Sequence, residues 1–376
     1  MSKGKLSELE KLIQELCPDG VVYVPLGDVV AYEQPTKYIV GSTDYDDNYE
    51  IPVLTAGQSF ILGYTDEING LYRASKERPV IIFDDFTTSF HWVDFEFKVK
   101  SSAMKMLTLK NADIANFRYL YYAISCIRYQ PDFSKHERQW IGKYSHFKIP
   151  LPPLPVQCEI VRILDNFTEL TAELTAELTA RKKQYEYYRK LLFVLSGVQR
   201  VPLRDVATML RGDYVTKENT TRGEIPVILG GQEPAYYCDK NNHVGEAIVI
   251  SRSGAYAGFV SYWNEPIFVT DGFVLETKYG MSMKYLYFYL KSIQEELHQT
   301  KRGGGVPHVR GDEIMLLKIP VPSPEEQARI VAILDKFDAL TTDIGAGLPA
   351  EIAARKKQYE YYRDKLLTFE RKETEA

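Results

Sequence analysis

The sequence predicts an α+β protein made of two mixed α/β domains in tandem, each followed by a long helix of nearly the same sequence. Three observations predict it. The decapeptide ARKKQYEYYR stands at 180–189 and again at 354–363, other motifs repeat at a nearly constant offset, and apolar residues three and four apart precede each decapeptide. A ten-residue identity signals an internal duplication, so its extent sets the architecture.

The duplication covers the whole chain. KIPLPPLPVQCEIVRILDNFTEL (148–170) matches KIPVPSPEEQARIVAILDKFDAL (318–340) at an offset of 170, whereas the decapeptides sit 174 apart. Upstream, YLYY (119–122) answers YLYF (285–288), EIPVLTAGQ (50–58) answers EIPVILGGQ (224–232), and VPLGDV (24–29) answers VPLRDV (201–206). These matches frame a helical segment over 1–20, a globular domain over 21–150, a helical spacer over 151–198, a second domain over 199–320 and a second helical spacer over 321–376. The spacers hardly vary and the globular parts diverge, so one part is generic and the other individual.

Within the domains, PVIIFDDF (79–86), VDFEFKVK (93–100) and EAIVISRSG (246–254) read as strands, the middle one with clear alternation. Segments 113–127 and 282–299 read as helices, the second capped by Ser282. In the first spacer, Ile160, Ile163, Phe167, Leu170 and Leu174 alternate three and four apart, and Leu178, Tyr185, Tyr188 and Leu192 extend the seam of a coiled coil. From Val156 to Leu192 such a helix is roughly 55 Å long at 1.5 Å per residue. The second spacer starts at a Ser323 cap followed by Pro324, and Gly345, Gly347 and Pro349 should break it. Ten residues separate Leu170 from Arg181 and fourteen separate Leu340 from Arg355, a difference of one helical turn. TAELTAELTA fills the shorter interval with two four-residue units. Each unit adds about 6 Å and rotates the next part of the helix by only about 40°, so the seam survives and the helix acts as a ruler.

With 376 residues, 45% of them hydrophobic, the chain can bury more than one core. Its four cysteines, Cys17, Cys126, Cys158 and Cys238, form no CxxC pair and have no histidine cluster beside them, which predicts reduced, buried thiols. No signal peptide and no apolar run of membrane length is present in the sequence, so a cytoplasmic protein is expected. A net charge of -5 and a pI near 5.8 argue against a generally basic nucleic-acid coat. Any DNA contact must use local patches.

Taken together, LIQELCPDGV (12–21), IPVLTAGQ, the KIPLPPL and KIPVPSP stretches, EIVRILD and RIVAILD, and both RKKQYEYYR copies resemble the type I restriction-modification specificity subunits. The likeness is greatest to the subgroup with TAEL repeats in its central spacer. This resemblance implies that each globular half is a target recognition domain for one part of a split DNA sequence. It further implies two spacer helices packed antiparallel in a pseudo-twofold arrangement. Its implied partners are double-stranded DNA, two modification subunits that bind S-adenosylmethionine and methylate adenine, and, optionally, two restriction subunits that use ATP and Mg. The chain itself would be noncatalytic, without a metal or cofactor. A tandem duplication about a pseudo-dyad also suits the approximate dyad of duplex DNA, with domains about one DNA turn, roughly 34 Å, apart.

Reading bases needs two-pronged side chains on loops, while phosphates accept any cation or hydroxyl. In the first domain the candidates are Thr87, Thr88, Ser89 and His91 after a strand, with Lys135, His136, Arg138 and Gln139 from KHERQW. In the second they are Arg252, Ser253 and Tyr256, with Lys301, Arg302, His308 and Arg310 from TKRGGGVPHVRG, whose glycines 303–305 allow close approach to a phosphate. Trp140 reads as core. In the decapeptides, Arg181, Lys182, Tyr185 and Tyr188, with Arg355, Lys356, Tyr359 and Tyr362, are candidates for docking two copies of one partner. Packing within a coiled coil is the plainer account of their tyrosines.

Two other functions compete with DNA reading. Asp84 or Asp85 with Glu96 and Lys98 mimics the acid-then-ExK pattern of a metal-dependent nuclease, although VDFEFKVK is equally a half-buried strand with its charges toward solvent. A coiled-coil scaffold without DNA affinity is the other alternative. The sequence has no GxxxxGKS, HExxH or NPPY-like motif.

Overall fold

The computed structural model describes residues 7–57, 59–135, 137–230, 233–303, 305–343 and 345–372. The chain divides into two compact units, Met1–Ala172 with Ala354–Ala376, and Glu173–Ala353. Each contains one globular domain together with helix segments from both spacers.

The first globular domain holds two four-stranded sheets. One orders Val30–Glu33, Met104–Leu109, Val80–Asp84 and Phe90–Val93, all antiparallel. The other orders Ile61–Thr65, Ile51–Leu54, Glu96–Val99 and Tyr72–Arg73, with Val53 and Lys98 in a parallel pairing. The second domain repeats the plan with Ala207–Arg211, Gly272–Thr277, Glu246–Ser251 and Val260–Asn264, and with a smaller sheet of Tyr236–Cys238, Ile225–Ile228 and Phe268–Val269. A short antiparallel ladder closes each domain where the chain enters and leaves it: Tyr23–Pro25 on Lys148–Pro150, and Arg200–Pro202 on Lys318–Pro320.

VDFEFKVK does not form one strand. Its first residue ends Phe90–Val93 in one sheet, and Glu96–Val99 belongs to the other. Nor do all its charges face water: Glu96 is exposed, but Lys98 is buried and its ammonium lies 2.6 Å from Glu67. Glu67 also accepts the Gly41 and Ser42 amides, and this set of donors lowers its pKa to about 2. The helix expected over 282–299 breaks at Ile293, between Met283–Ser292 and Gln294–Gln299. The four cysteines are free, yet Cys158 is exposed rather than buried.

One joint repeats in both units and ties each domain to its spacer. Gln157, near the start of the 38-residue helix Leu154–Leu191, is fully buried. Its Oε1 accepts the Asn116 amide at 2.8 Å, and its Nε2 donates to Ile114 O and Pro152 O. Gln327, on the helix Pro324–Thr342, likewise accepts the Ser282 amide at 2.8 Å and donates to Gly280 O and Pro322 O. Asn116 and Ser282 are the N-caps of Phe117–Ser125 and Met283–Ser292, so each glutamine grips the cap of the domain helix on its spacer. Around the joint, Tyr119 and Tyr285 donate to Pro150 O and Pro320 O, and Arg118–Asp165 is answered by Lys284–Asp335.

The helix Leu154–Leu191 runs unbroken through both TAEL units. The second spacer is interrupted: Pro324–Thr342 ends before Leu348–Leu366 begins. At Gly347 a Cβ would stand 2.6 Å from Ala339 O, so the turn is closed to any larger residue. In the first unit Phe167 stacks on Tyr362, with centroids 5.4 Å apart. In the second, Phe337, which occupies the same repeat position as Phe167, stacks on Tyr185 and Tyr188.

Because Gln157 is itself fully buried and pairs with three main-chain groups, Gln157→Leu should destabilise the first unit by about 2–4 kcal/mol. Hydrogen exchange checks this. The Asn116 amide should lose protection in Gln157→Leu, and the Ser282 amide in Gln327→Leu. Unchanged protection at those two amides would show that the glutamines do not hold the caps.

Candidate nucleic-acid interface

In each domain the turn after a central strand meets a loop from some fifty residues further along the chain. In the first domain the meeting point is Asp85, fully buried between Lys105 and the start of the helical turn Gln139–Gly142. Its carbonyl accepts the Gln139 amide, and its Oδ1 accepts the Trp140 amide, both at 2.8 Å. Lys105, also fully buried, sits 3.1 Å from Oδ2, poorly aligned as a hydrogen bond, with its ammonium over the Tyr32 ring. Arg138 reaches the same carboxylate at 3.6 Å while its guanidinium remains half exposed. A buried pair of this kind adds little net stability, but removing one partner strands a charge. It therefore fixes the loop that carries Arg138 against the turn that carries Thr87 and Thr88.

That turn is itself tightly held. Asp84 Oδ1 accepts the Phe86 and Thr87 amides, and Thr88 adopts φ 62°, the one left-handed non-glycine among the described residues. Ser89 Oγ donates to Ala56 O, and a His91 ring nitrogen lies 2.9 Å from Gly57 O, with Phe60 stacked on the imidazole. The strand-following turn is thereby strapped to the TAG stretch of IPVLTAGQ.

In the second domain Arg252 takes the place of Asp85. Its Nε donates to Asp271 Oδ1 at 2.8 Å, Ser253 donates to the other oxygen of the same carboxylate, and Arg252 O accepts the Val309 amide. Lys301 Nζ donates to Ala255 O, and the Gly254 amide donates to Pro307 O. Arg302 and His308 exchange both main-chain hydrogen bonds, closing a small hairpin. Arg302 and Arg310 are exposed, each within 4.0 Å of Glu313. Tyr256 lies half exposed beside Phe259. Gly230, in the ILGG stretch that answers VLTAG, has φ 105°, and a Cβ there would stand 2.4 Å from Ser251 Oγ. The glycine stretch thus approaches the strand end in this domain too.

The two loop clusters foreseen in each domain therefore come together, with some reassignment of members. Gln139 is only 2% exposed, and its amide oxygen accepts the Tyr129 hydroxyl while its nitrogen donates to Glu137 O, so it supports the loop and offers bases nothing. Ser89 and His91 hold the TAG stretch. Thr87, Thr88, Lys135 and Arg138 remain toward the outside; Lys135 is exposed, 3.6 Å from Asp132. His136 and Gly304 lie outside the described residues. Trp140 is core. Lys105 and Asp271, which build the sites, had no individual sequence signal, and Asp85 had one only as part of the nuclease-like pattern. The glycine stretches had one, since IPVLTAGQ and IPVILGGQ recur at equivalent points of two otherwise divergent domains.

On the decapeptides the inner and outer faces separate. Tyr185 and Tyr188 pack on Phe337, Tyr359 packs edge-on to Tyr122, Tyr362 stacks on Phe167, and burial raises the Tyr359 pKa to about 12. These four tyrosines face their own unit rather than a partner. Arg181 pairs with Glu177, and Arg355 donates to Gln358. Lys182, Lys183, Lys356 and Lys357 are exposed, as are Tyr187 at 63% and Tyr361 at 61%.

The nuclease-like residues do not assemble. Asp84 ends and Asp85 follows a strand of one sheet, Glu96 and Lys98 belong to the other, and Asp85 and Lys98 are paired with Lys105 and Glu67. Among the described residues no group of three or more His, Cys, Asp or Glu is placed to hold a metal ion. No helix among them is long and apolar enough to cross a membrane.

Comparison with known proteins agrees with the repeat. The family model described as type I restriction modification DNA specificity domain matches residues 18–181 and 196–354. The chain is 42% identical to the type I restriction enzyme EcoR124I/EcoR124II specificity subunit of Escherichia coli, covering 99% of each. It is 33% identical to a putative type I restriction enzyme specificity subunit of Haemophilus influenzae, covering 98% of this chain and 100% of that one. In fold it resembles the type I restriction-modification S subunit from M. genitalium, with a TM-score of 0.64 at 17% identity over 93% of this chain and 96% of that one. Two copies of one domain model and end-to-end similarity to these subunits place the chain in the type I restriction-modification DNA specificity family.

Proposed function

We propose that this noncatalytic DNA-recognition subunit reads the two parts of a split duplex target through its two loop clusters, one in each domain. In doing so it directs adenine methylation and restriction by subunits docked on its helices. The observation that carries this reading is the convergence, twice, of two sequence-distant loops on one site edged with cations and hydroxyls. Thr87, Thr88, Lys135 and Arg138 form the first edge; Arg252, Ser253, Tyr256, Lys301, Arg302, His308 and Arg310 form the second. Exposed ion pairs such as Arg302–Glu313 contribute only about 0–1 kcal/mol, so phosphate can replace the carboxylate at little cost. Lys135→Ala and Arg302→Ala should each lower the dependence of log affinity on log salt by about one unit. Arg138→Ala and Arg310→Ala should weaken binding to the cognate sequence more than to random DNA. Fluorescence anisotropy of the assembled complex over a salt series measures both effects, and indifference to all four substitutions rejects the reading.

The decapeptide pair serves two copies of one modification subunit through its outer faces, Lys182, Lys183 and Tyr187 in one copy and Lys356, Lys357 and Tyr361 in the other. The inner tyrosines shape these faces from behind. In this reading S-adenosylmethionine binds the modification subunits, ATP and Mg belong to any restriction subunits, and the assembly works in the cytoplasm. Methylation takes place on an adenine flipped into the partner, because its target atom is out of reach within the stack. Native mass spectrometry of the complex tests the docking: Tyr187→Ala with Tyr361→Ala should lose both modification subunits, and retention of two would move the docking face elsewhere.

The unbroken helix through the TAEL units sets the unread gap between the two words. Removing Thr175–Leu178 shortens it by about 6 Å and, in an inclined helix, should shorten the gap by about one base pair. Genome-wide mapping of methylated adenines reads that gap directly. An unaltered gap in an active complex would mean that helix length does not set it.

A further inference from the structure

Both domains carry an unpaired apolar side chain at the tip of a cation-bearing loop, and the two loops occupy the same place in the repeat. The first spans the stretch between the helix Phe117–Ser125 and the turn Gln139–Gly142; the second lies between Gln294–Gln299 and Gly311–Ile314. Each ends with a main-chain amide donated to the residue after the central strand, Gln139 to Asp85 and Val309 to Arg252. At the tips, Phe133 is 69% and Val306 65% exposed.

Single exposed apolar residues are ordinary on protein surfaces, but these two stand beside turns closed by hydrogen bonds. Asp132 Oδ1 accepts both the Ser134 amide and the Ser134 hydroxyl, and Asp132 O accepts the Lys135 amide, so Phe133 sits in a closed turn. The aromatic group of Tyr129, Tyr144 and Phe147 packs nearby in sequence without it. Val306 stands in the hairpin that Arg302 and His308 close, with Gly303 at φ 111°. Lys135 and Arg138 flank the first tip, and Lys301, Arg302 and Arg310 flank the second.

We propose that Phe133 and Val306 are base-contacting residues, one for each word of the split target, pressed against bases by the cations that anchor their loops to phosphate. This rests on the reading that the loop clusters face DNA. Cations alone bring a loop to any duplex, whereas an apolar tip discriminates, either by wedging into an easily unstacked step or by touching a thymine methyl at the groove edge. Both routes lie on the same side chain.

The test uses the assembled complex and a duplex carrying its mapped methylation target. Phe133→Ala should weaken specific binding about tenfold or more and leave the salt slope unchanged, because no phosphate contact is lost; Phe133→Trp should keep the affinity. Circular dichroism and subunit stoichiometry of the variant should match the parent, since the side chain is outside the core. With 2-aminopurine in the first word, a fluorescence rise on binding that disappears in Phe133→Ala identifies a wedge. Loss of affinity on replacing thymine by uracil, absent in Phe133→Ala, identifies an edge contact. Wild-type affinity in both Phe133→Ala and Val306→Asn overturns the proposal. If those two bind normally while Lys135→Ala and Arg138→Ala bind weakly, only the apolar contact fails; if all four bind normally, the assignment of the loops to DNA fails with it.

Discussion

The organisation of each unit depends on one buried side-chain amide. Gln157 and Gln327 lie where a domain helix starts beside a spacer helix, a place at which backbone donors and acceptors from two segments meet. An amide can accept one main-chain group and donate to two others, which no apolar residue and no carboxylate can do. The joint is therefore directional. It orients the domain on its helix, whereas apolar packing alone would tolerate sliding and rotation.

A fixed joint explains why the globular parts could diverge. Beyond it, the two sites are built on the same topology with different chemistry. In one domain a buried aspartate faces a buried lysine, and in the other a half-buried arginine faces an aspartate. In the first the aspartate also accepts the amides of the distant loop, in the second main-chain bonds from Val309 to Arg252 and from Gly254 to Pro307 make that tie, and both leave the loop cations toward water. The scaffold asks only that the two loops be tied together. Which groups tie them, and which remain free at the edge, can change from one domain to the other without disturbing the helices.

The decapeptides show the opposite regime. Their inner tyrosines meet equivalent partners, Phe337 in one unit and Phe167 in the other, and the residues are the same. Their outer residues, Lys182, Lys183 and Tyr187 in one copy and Lys356, Lys357 and Tyr361 in the other, are exposed, and they are the same as well. Equivalent packing accounts for the identity of the inner face, and the docking proposed above would account for that of the outer one.

The sequence by itself determined the duplication, the long unbroken first helix and the break in the second around Gly345 and Gly347, because each of these is written in local periodicity, in repeated letters or in helix-breaking residues. It could not determine which members of a cluster are free. Gln139 has a base-reading side chain by type, but its carbonyl and amino groups already have protein partners. VDFEFKVK alternates as one strand should, yet the chain passes between sheets in its middle and buries Lys98 beside a glutamate thirty-one residues away. Burial and hydrogen-bond partnership are properties of residues distant in sequence brought together, so the inward facing of Gln139 and Lys98 was decided only by the tertiary structure, whereas that of Tyr188 was already legible in the helical spacing.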